Sequence, residues 1–269
     1  MRYRALVVLL AGSLCVSQAL AGTIYVKNDA SGLNNGASWT NAYTNLQTAL
    51  IAAVANDEIW VAAATYIPGT NRTDTFQLKP WVGLYGGFSG TETTRSQRDW
   101  TNNVTILSGD VLANDVGFSN NTENVNHVVT TTTNSVLDGF VIRAGNADGT
   151  WPTPSCGGGG IYSVFPNFVL SNCILFRNSA QYGGGIFNTA PITIRRCFLV
   201  DNKCAQQGGG MRDTSGTPCT LEECVFSGNQ ASSGGGLATA TRSAVLQRNV
   251  FAGNRATSGG GIYNLNLSS

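Results

Sequence analysis

The chain has 269 residues, of which 12% are charged, with 33 glycines and a formal charge of +1. That balance excludes the basic stripe of a nucleic-acid-binding surface. With a single histidine, His127, and no Cys-x-x-Cys pair, it also excludes a thiol-based zinc site.

Arg2 and Arg4 precede the apolar run ALVVLLAGSL, and Ala19-Leu20-Ala21 supplies small residues at −3 and −1. This predicts a secretory signal peptide over residues 1–21, cleaved after Ala21. No later apolar run approaches the roughly 20 residues that cross a bilayer. The mature chain is therefore expected to be secreted or at the cell surface, with no transmembrane span. Export permits disulfides, and Cys156, Cys173, Cys197, Cys204, Cys219 and Cys224 remain after cleavage. Six cysteines allow about 15 pairings, and the sequence does not choose among them.

Residues 22–135 read as an N-terminal cap followed by irregular early rungs. TIYV (23–26) and EIWVAAATY (58–66) are strand-like. Between them, residues 45–55 place Leu46, Ala49, Leu50 and Ala53 on one helical face, with Thr44 as the expected N-cap. Such a helix is suited to covering the open end of a solenoid. The stretches 81–88, 105–111 and 127–133 supply further short strands.

Residues 136–269 are a regular repeat of about 25 residues. Glycine triplets begin at Gly158, Gly183, Gly208, Gly234 and Gly259, each followed by Ile161, Ile186, Met211, Leu237 or Ile262. VLSNCILFRNSA (169–180), TIRRCFLVDNKC (193–204), TLEECVFSGNQA (220–231) and VLQRNVFAGNRA (245–256) align without a gap. Their columns read Leu170, Ile194, Leu221, Leu246; then Cys173, Cys197, Cys224, Asn249; then Leu175, Leu199, Phe226, Phe251; then Asn178, Asn202, Asn229, Asn254. Alternation at a period of two indicates strands. A repeat this short cannot bury its own apolar face and must stack on its neighbours. Equivalent residues then lie one above another at about 4.8 Å. The asparagines become an amide ladder, and the glycines turn corners or sit where no Cβ fits. Asn172, Arg196, Glu223 and Arg248 share an outward column beside Ser171, Arg195, Glu222 and Gln247, so arginine over glutamate over arginine sets register. The cysteine column is favoured as free thiols packed as small hydrophobes. The predicted fold is all-β, a right-handed single-stranded parallel β-helix (solenoid) with a short N-terminal capping helix.

The pairing of GGG-[IML] with LFRN, LVDN, FSGN and FAGN resembles the repeats of the chlamydial polymorphic outer-membrane proteins. The front section, from IYVKNDASGLNNGASW to GLYGGFSGTETTRSQRDW, is similar to the start of secreted bacterial β-helix proteins. The resemblance implies a pectate-lyase-like fold and a role at the outer surface in adhesion or display, with extracellular glycans or proteins of host or neighbouring cells as partners.

The pectate-lyase-like fold also hosts polysaccharide lyases and glycoside hydrolases, so catalysis needs its own residues. Lyase chemistry requires carboxylates holding Ca²⁺ and a basic side chain. The lysines of the mature chain are Lys27, Lys79 and Lys203, and only Lys203 lies in the repeat, beside Asp201. Asp110 and Asp115 are the sole spaced carboxylate pair near a strand end and read as a solvated loop, or at best a weak Ca²⁺ site. No catalytic, cofactor-binding or metal-binding residue is assigned. Trp81, Tyr85, Trp100 and Trp151 are the candidates for stacking on sugar rings, although Trp81 and Tyr85 alternate as core residues do. Trp151 sits in a protruding loop, residues 148–156. The last segment, GGGIYNLNLSS, begins a rung without completing it, so the sequence is expected to be part of a longer protein anchored beyond Ser269. The expected function is a non-catalytic surface scaffold, with a lyase, a hydrolase or a carbohydrate-binding module as the alternative.

Overall fold

The structure, a computed structural model, describes residues 21–240 and 244–265. The predicted signal peptide lies outside the described residues, apart from Ala21. The chain winds into a parallel β-helix. An eight-stranded face runs from Thr23–Val26 to Val245–Gln247. A seven-stranded second face runs from Thr65–Tyr66 to Val250–Ala252, and a seven-stranded third from Phe76–Gln77 to Ile262–Asn264. A short fourth sheet joins Asn146–Ala147, Ser179–Tyr182 and Lys203–Gln207.

One rung shows how the sequence bends. Phe168–Ser171 lies on the first face and Ile174–Phe176 on the second. Ser179–Tyr182 bridges to Ile186–Asn188 on the third. Three left-handed residues turn the corners between these strands: Asn172 (φ 52°), Arg177 (φ 53°) and Gly183 (φ 60°). A non-glycine residue in this conformation costs about 1–2 kcal/mol. Repetition of the corner offsets that cost, because each corner N–H donates to the next rung. Asn172 donates to the Arg195 carbonyl (3.1 Å), Arg196 to Glu222 (2.9 Å) and Glu223 to Gln247 (2.9 Å). The glycine triplets therefore turn one corner in three, and their members differ in role. Gly183 supplies positive φ, whereas a Cβ on Gly184 would lie 2.4 Å from the Lys203 carbonyl and one on Gly185 2.5 Å from the Gly210 carbonyl.

Inside, the aligned columns stack in register: Leu137, Leu170, Ile194 and Leu221 on one face, Ile142, Leu175, Leu199 and Phe226 on the next. All eight are fully buried. The amide ladder lies at the second corner. Asn178 donates through Nδ2 to Ile142 O and to Asn202 Oδ1, and Asn202 repeats this to Leu175 O and Asn229 Oδ1. A second polar ladder, of Ser163, Asn188, Asp213 and Thr239, runs inside the third face, where Asn188 Nδ2 meets Asp213 Oδ1 at 2.8 Å. All four residues are buried.

The helix spans Leu46–Ala52 and buries Leu46, Ala49 and Leu50 against Thr23–Val26, Glu58–Ala62 and Phe76–Gln77, covering the first rung. Its cap is Asn45, whose side chain accepts from the Gln47 N–H, and not Thr44. The Thr44 N–H and hydroxyl are already engaged by Asn34 Oδ1. At the opposite end the interior columns emerge: Leu246 is 39% exposed where Leu221 is fully buried, and Ile262 is 42% exposed above Leu237.

Candidate binding face

The outer surfaces of the first and second faces differ in kind. On the first, a column of Val136, Val169, Thr193, Thr220 and Val245 stands beside charged positions. Arg195 pairs with Glu222 at 3.2 Å, and Arg248 with Glu223 at 2.9 Å and with Glu222 at 2.5 Å. Exposed pairs of this kind are screened by solvent and set register more than they stabilise. On the second face the outward column reads Ile106, Val141, Ile174, Phe198, Val225 and Val250, each directly above the last. Ile174, Phe198 and Val250 are 39%, 47% and 52% exposed. Five steps of about 4.8 Å make this an apolar stripe about 24 Å long. The neighbouring outward column adds Phe176 and Val200. A contiguous apolar strip on a soluble surface marks an interaction site more often than a structural accident.

Trp100 flanks the stripe on the side of the first corner, where a cavity of about 250 Å³ lies between its ring, Val141, Ile174 and Phe198. It is held by Arg98, whose guanidinium stacks 4.9 Å from the indole and pairs with Asp138 at 2.7 Å. The Arg98 and Asp138 side chains are only 8% and 14% exposed, so the pair is a fixed strut.

The other candidate aromatics fall elsewhere. Trp81 is 57% exposed with φ 62°, a turn residue and not the core residue that alternation suggests. Tyr85 also points outward and lies beneath Arg95, 4.5 Å from its ring, and Arg98. Burial is the main cause that raises its phenol pKa. Trp151 is 58% exposed, yet its loop folds back so that the indole meets Tyr182 edge-on at 5.4 Å. Arg212 lies below, 4.4 Å from the Tyr182 ring and 5.4 Å from Phe187. Phe187 in turn stacks parallel on Tyr162, and Tyr162 on His127.

The ionisable candidates are dispersed. Lys203 projects over Phe118, 5.9 Å from its ring, in a cleft that also holds Asp201. Asp110 and Asp115, read as a solvated loop, are half-buried and joined by Glu123, which the sequence did not single out. Burial is the main cause raising the Asp115 carboxyl, with the charges of Asp110 and Glu123 adding to it. All six described cysteines are free and buried. In the column, the Cys197 thiol is pushed well up by burial between Cys173 and Cys224. The apolar stripe was present in the aligned repeats: the residue after each column cysteine is Ile174, Phe198 or Val225, and Val250 follows Asn249. What the alignment could not show is that no layer formed by the described residues covers it.

Residues 223–240 match the Chlamydia polymorphic membrane protein repeat. The matched segment runs from the Glu223 corner through Val225–Ser227 and Asn229 to the triplet at Gly234 and the strand Leu237–Thr239. The chain is a parallel β-helix repeat protein, and one of its repeats is of the polymorphic-membrane-protein type. The repeat's motif is now explained residue by residue: its phenylalanine fills the interior, its asparagine joins the amide ladder, and its glycines pass between rungs. No curated protein and no solved structure matches the chain. Among the described residues, no helix is long and apolar enough to cross a membrane.

Proposed function

We propose that this repeat protein is a non-catalytic scaffold, exported by a signal peptide at residues 1–21 and displayed at the outer surface, where it adheres to extracellular proteins through the outer side of its second face. The observation that carries the reading is the stripe from Val141 to Val250, apolar at every rung, whereas the outward columns of the first face interleave valine and threonine with charge. The polymorphic-membrane-protein repeat supports the surface location. A rigid solenoid suits adhesion, because its flat parallel faces hold side chains at fixed spacing and cost little ordering entropy on contact. The test is adherence of beads coated with residues 22–269 to cultured cell layers. Wild-type beads should adhere saturably, and Phe198→Lys with Val225→Lys should reduce adherence at least about tenfold, a loss of about 1.4 kcal/mol. Equal adherence by the double variant removes the stripe from the function.

A second reading rests on Trp151. Its exposed indole above Tyr182 and Arg212, beside a cavity of about 170 Å³, is a platform for a sugar ring. Retention on insoluble glycans that is lost in Trp151→Ala would favour it.

A further inference from the structure

Between Thr105–Ser108 and Val129–Thr130 the chain leaves the helix in an excursion without regular strands. Asp110 stands at its start, Asp115 within it and Glu123 near its end. One carboxylate oxygen from each lies within 4.8 Å of the others. Like charges this close repel, so the fold must supply a reason for holding them together.

The immediate surroundings supply part of one. Asp110 Oδ1 accepts from the Asn114 N–H (3.1 Å) and Oδ2 from the Asp115 N–H (3.2 Å), which fixes the first carboxylate. Asn124 Nδ2 donates to Asp115 Oδ2 at 2.7 Å, so its amide is aimed into the cluster. Asn124 is 1% exposed. Three buried oxygens at this place have no hydrogen-bond partner: Asp115 Oδ1, Glu123 Oε1 and Asn124 Oδ1. All three are acceptors. A buried acceptor without a donor costs about 1–3 kcal/mol, and more when it is charged. Arg143 Nε, a buried donor without a partner, lines the same cleft as Asp110 and Asp115. One guanidinium does not balance three carboxylates and an amide oxygen, which leaves a call for a further positive centre.

We propose that Asp110, Asp115, Glu123 and Asn124 form a Ca²⁺ site that staples the two ends of this excursion. The donor set is oxygen only, with no histidine or cysteine in it, which selects a hard cation over zinc or copper. Separations up to 4.8 Å between ligand oxygens suit a cation bound at about 2.3–2.6 Å, the calcium range, and the flexible geometry of Ca²⁺ tolerates an irregular set completed by water. Mg²⁺ demands a tighter octahedron. Arg143 is close enough to offset part of the negative charge, which places the site at the weak end, suited to the calcium of an extracellular medium. Because Asp110 and Glu123 come from opposite ends of the loop, the ion would tie down the exposed segment containing Leu112 and Phe118.

The experiment is calorimetric titration of residues 22–269 with CaCl₂, together with chymotrypsin digestion at Leu112 and Phe118. Wild type should bind one Ca²⁺ per chain, and about 10 mM Ca²⁺, above the range of extracellular modules, should slow cleavage at these sites at least tenfold. Asp115→Asn and Glu123→Gln should each weaken binding at least tenfold and abolish protection. Asp148→Asn, which alters a carboxylate paired with Arg72 outside the cluster, should leave both unchanged. Circular dichroism without Ca²⁺ confirms that each variant is folded; Glu123→Gln should melt no lower than wild type there, since it removes one of three like charges. Absence of heat and of protection overturns the proposal, as does binding that survives Glu123→Gln. Protection by Mg²⁺ equal to that by Ca²⁺ overturns the assignment to calcium.

Discussion

Asn202 Oδ1 receives both the backbone N–H and the side-chain amide of Asn178, at 3.0 and 3.1 Å, while its own amide reaches Leu175 O and Asn229 Oδ1. Every polar atom of the side chain is therefore used, and Asn202 is fully buried. Asn202→Ala takes a partner from groups on both neighbouring rungs and should cost about 3–5 kcal/mol in denaturant unfolding. Asn202→Asp should be no better, because a carboxylate accepts from Asn178 but cannot donate to Leu175 O.

The members of a glycine triplet are not equivalent to glycines elsewhere. Gly117 has φ 68° but nothing within 4 Å of a Cβ, so Gly117→Ala should cost about 1 kcal/mol from backbone strain alone. Gly184→Ala places a methyl 2.4 Å from the Lys203 carbonyl and 2.6 Å from that of Gly209, and should cost about 3 kcal/mol or more by prising rungs apart. Thermal melts of the two variants side by side check this.

The thiols should be silent in the folded protein. Burial pushes Cys204 up to about 12 and raises Cys197, whereas a hydrogen bond with Cys197 lowers Cys224, whose side chain is fully buried. Thiolate is the reactive species and a buried thiol is out of reach of reagent, so iodoacetamide at neutral pH should leave all six unmodified until denaturant is added. Rapid labelling of Cys173, Cys197 or Cys224 by mass spectrometry would show that the interior column is open.

His127 gives the fold a pH dependence. Burial lowers its pKa below 6.5, against an opposing hydrogen bond from Nδ1–H to Gly158 O at 3.0 Å. With the folded value depressed, the unfolded chain binds the proton more readily. Its contribution to stability is full above pH 6.5 and lost as pH falls through the folded value. The melting temperature should fall over that interval, and His127→Phe should flatten the fall.

Much of the fold could be read from the repeats because stacking makes sequence columns into spatial columns. Leu170, Cys173, Leu175 and Asn178 were placed on their correct sides by alignment alone. Two features escaped for physical reasons. The ladder of Ser163, Asn188, Asp213 and Thr239 mixes four side-chain types, so no identity repeats, although each is a small polar residue two positions after the aliphatic one. The corners at Asn172, Arg196, Glu223 and Arg248 were seen as charged positions, not as left-handed ones, because φ leaves no mark on side chains that tolerate it. Of the candidate sites, Glu123 was invisible because its nearness to Asp110 is made by a loop and not by spacing. Trp151 was named as a candidate, but the rings and arginine beneath it come from three different rungs.

The central claim is that Ile174 and Phe198 lie one above the other on an uncovered apolar face. Ile174→Cys with Phe198→Cys tests both halves directly. Paired residues on adjacent rungs are about 4.8 Å apart, within disulfide reach, and an exposed pair should oxidise rapidly. The account predicts that mild oxidant joins 174 to 198, while Ile174→Cys with Val200→Cys, offset along the strand, stays reduced. A cross-link in the offset pair, or none in the matched pair of a folded protein, would contradict it.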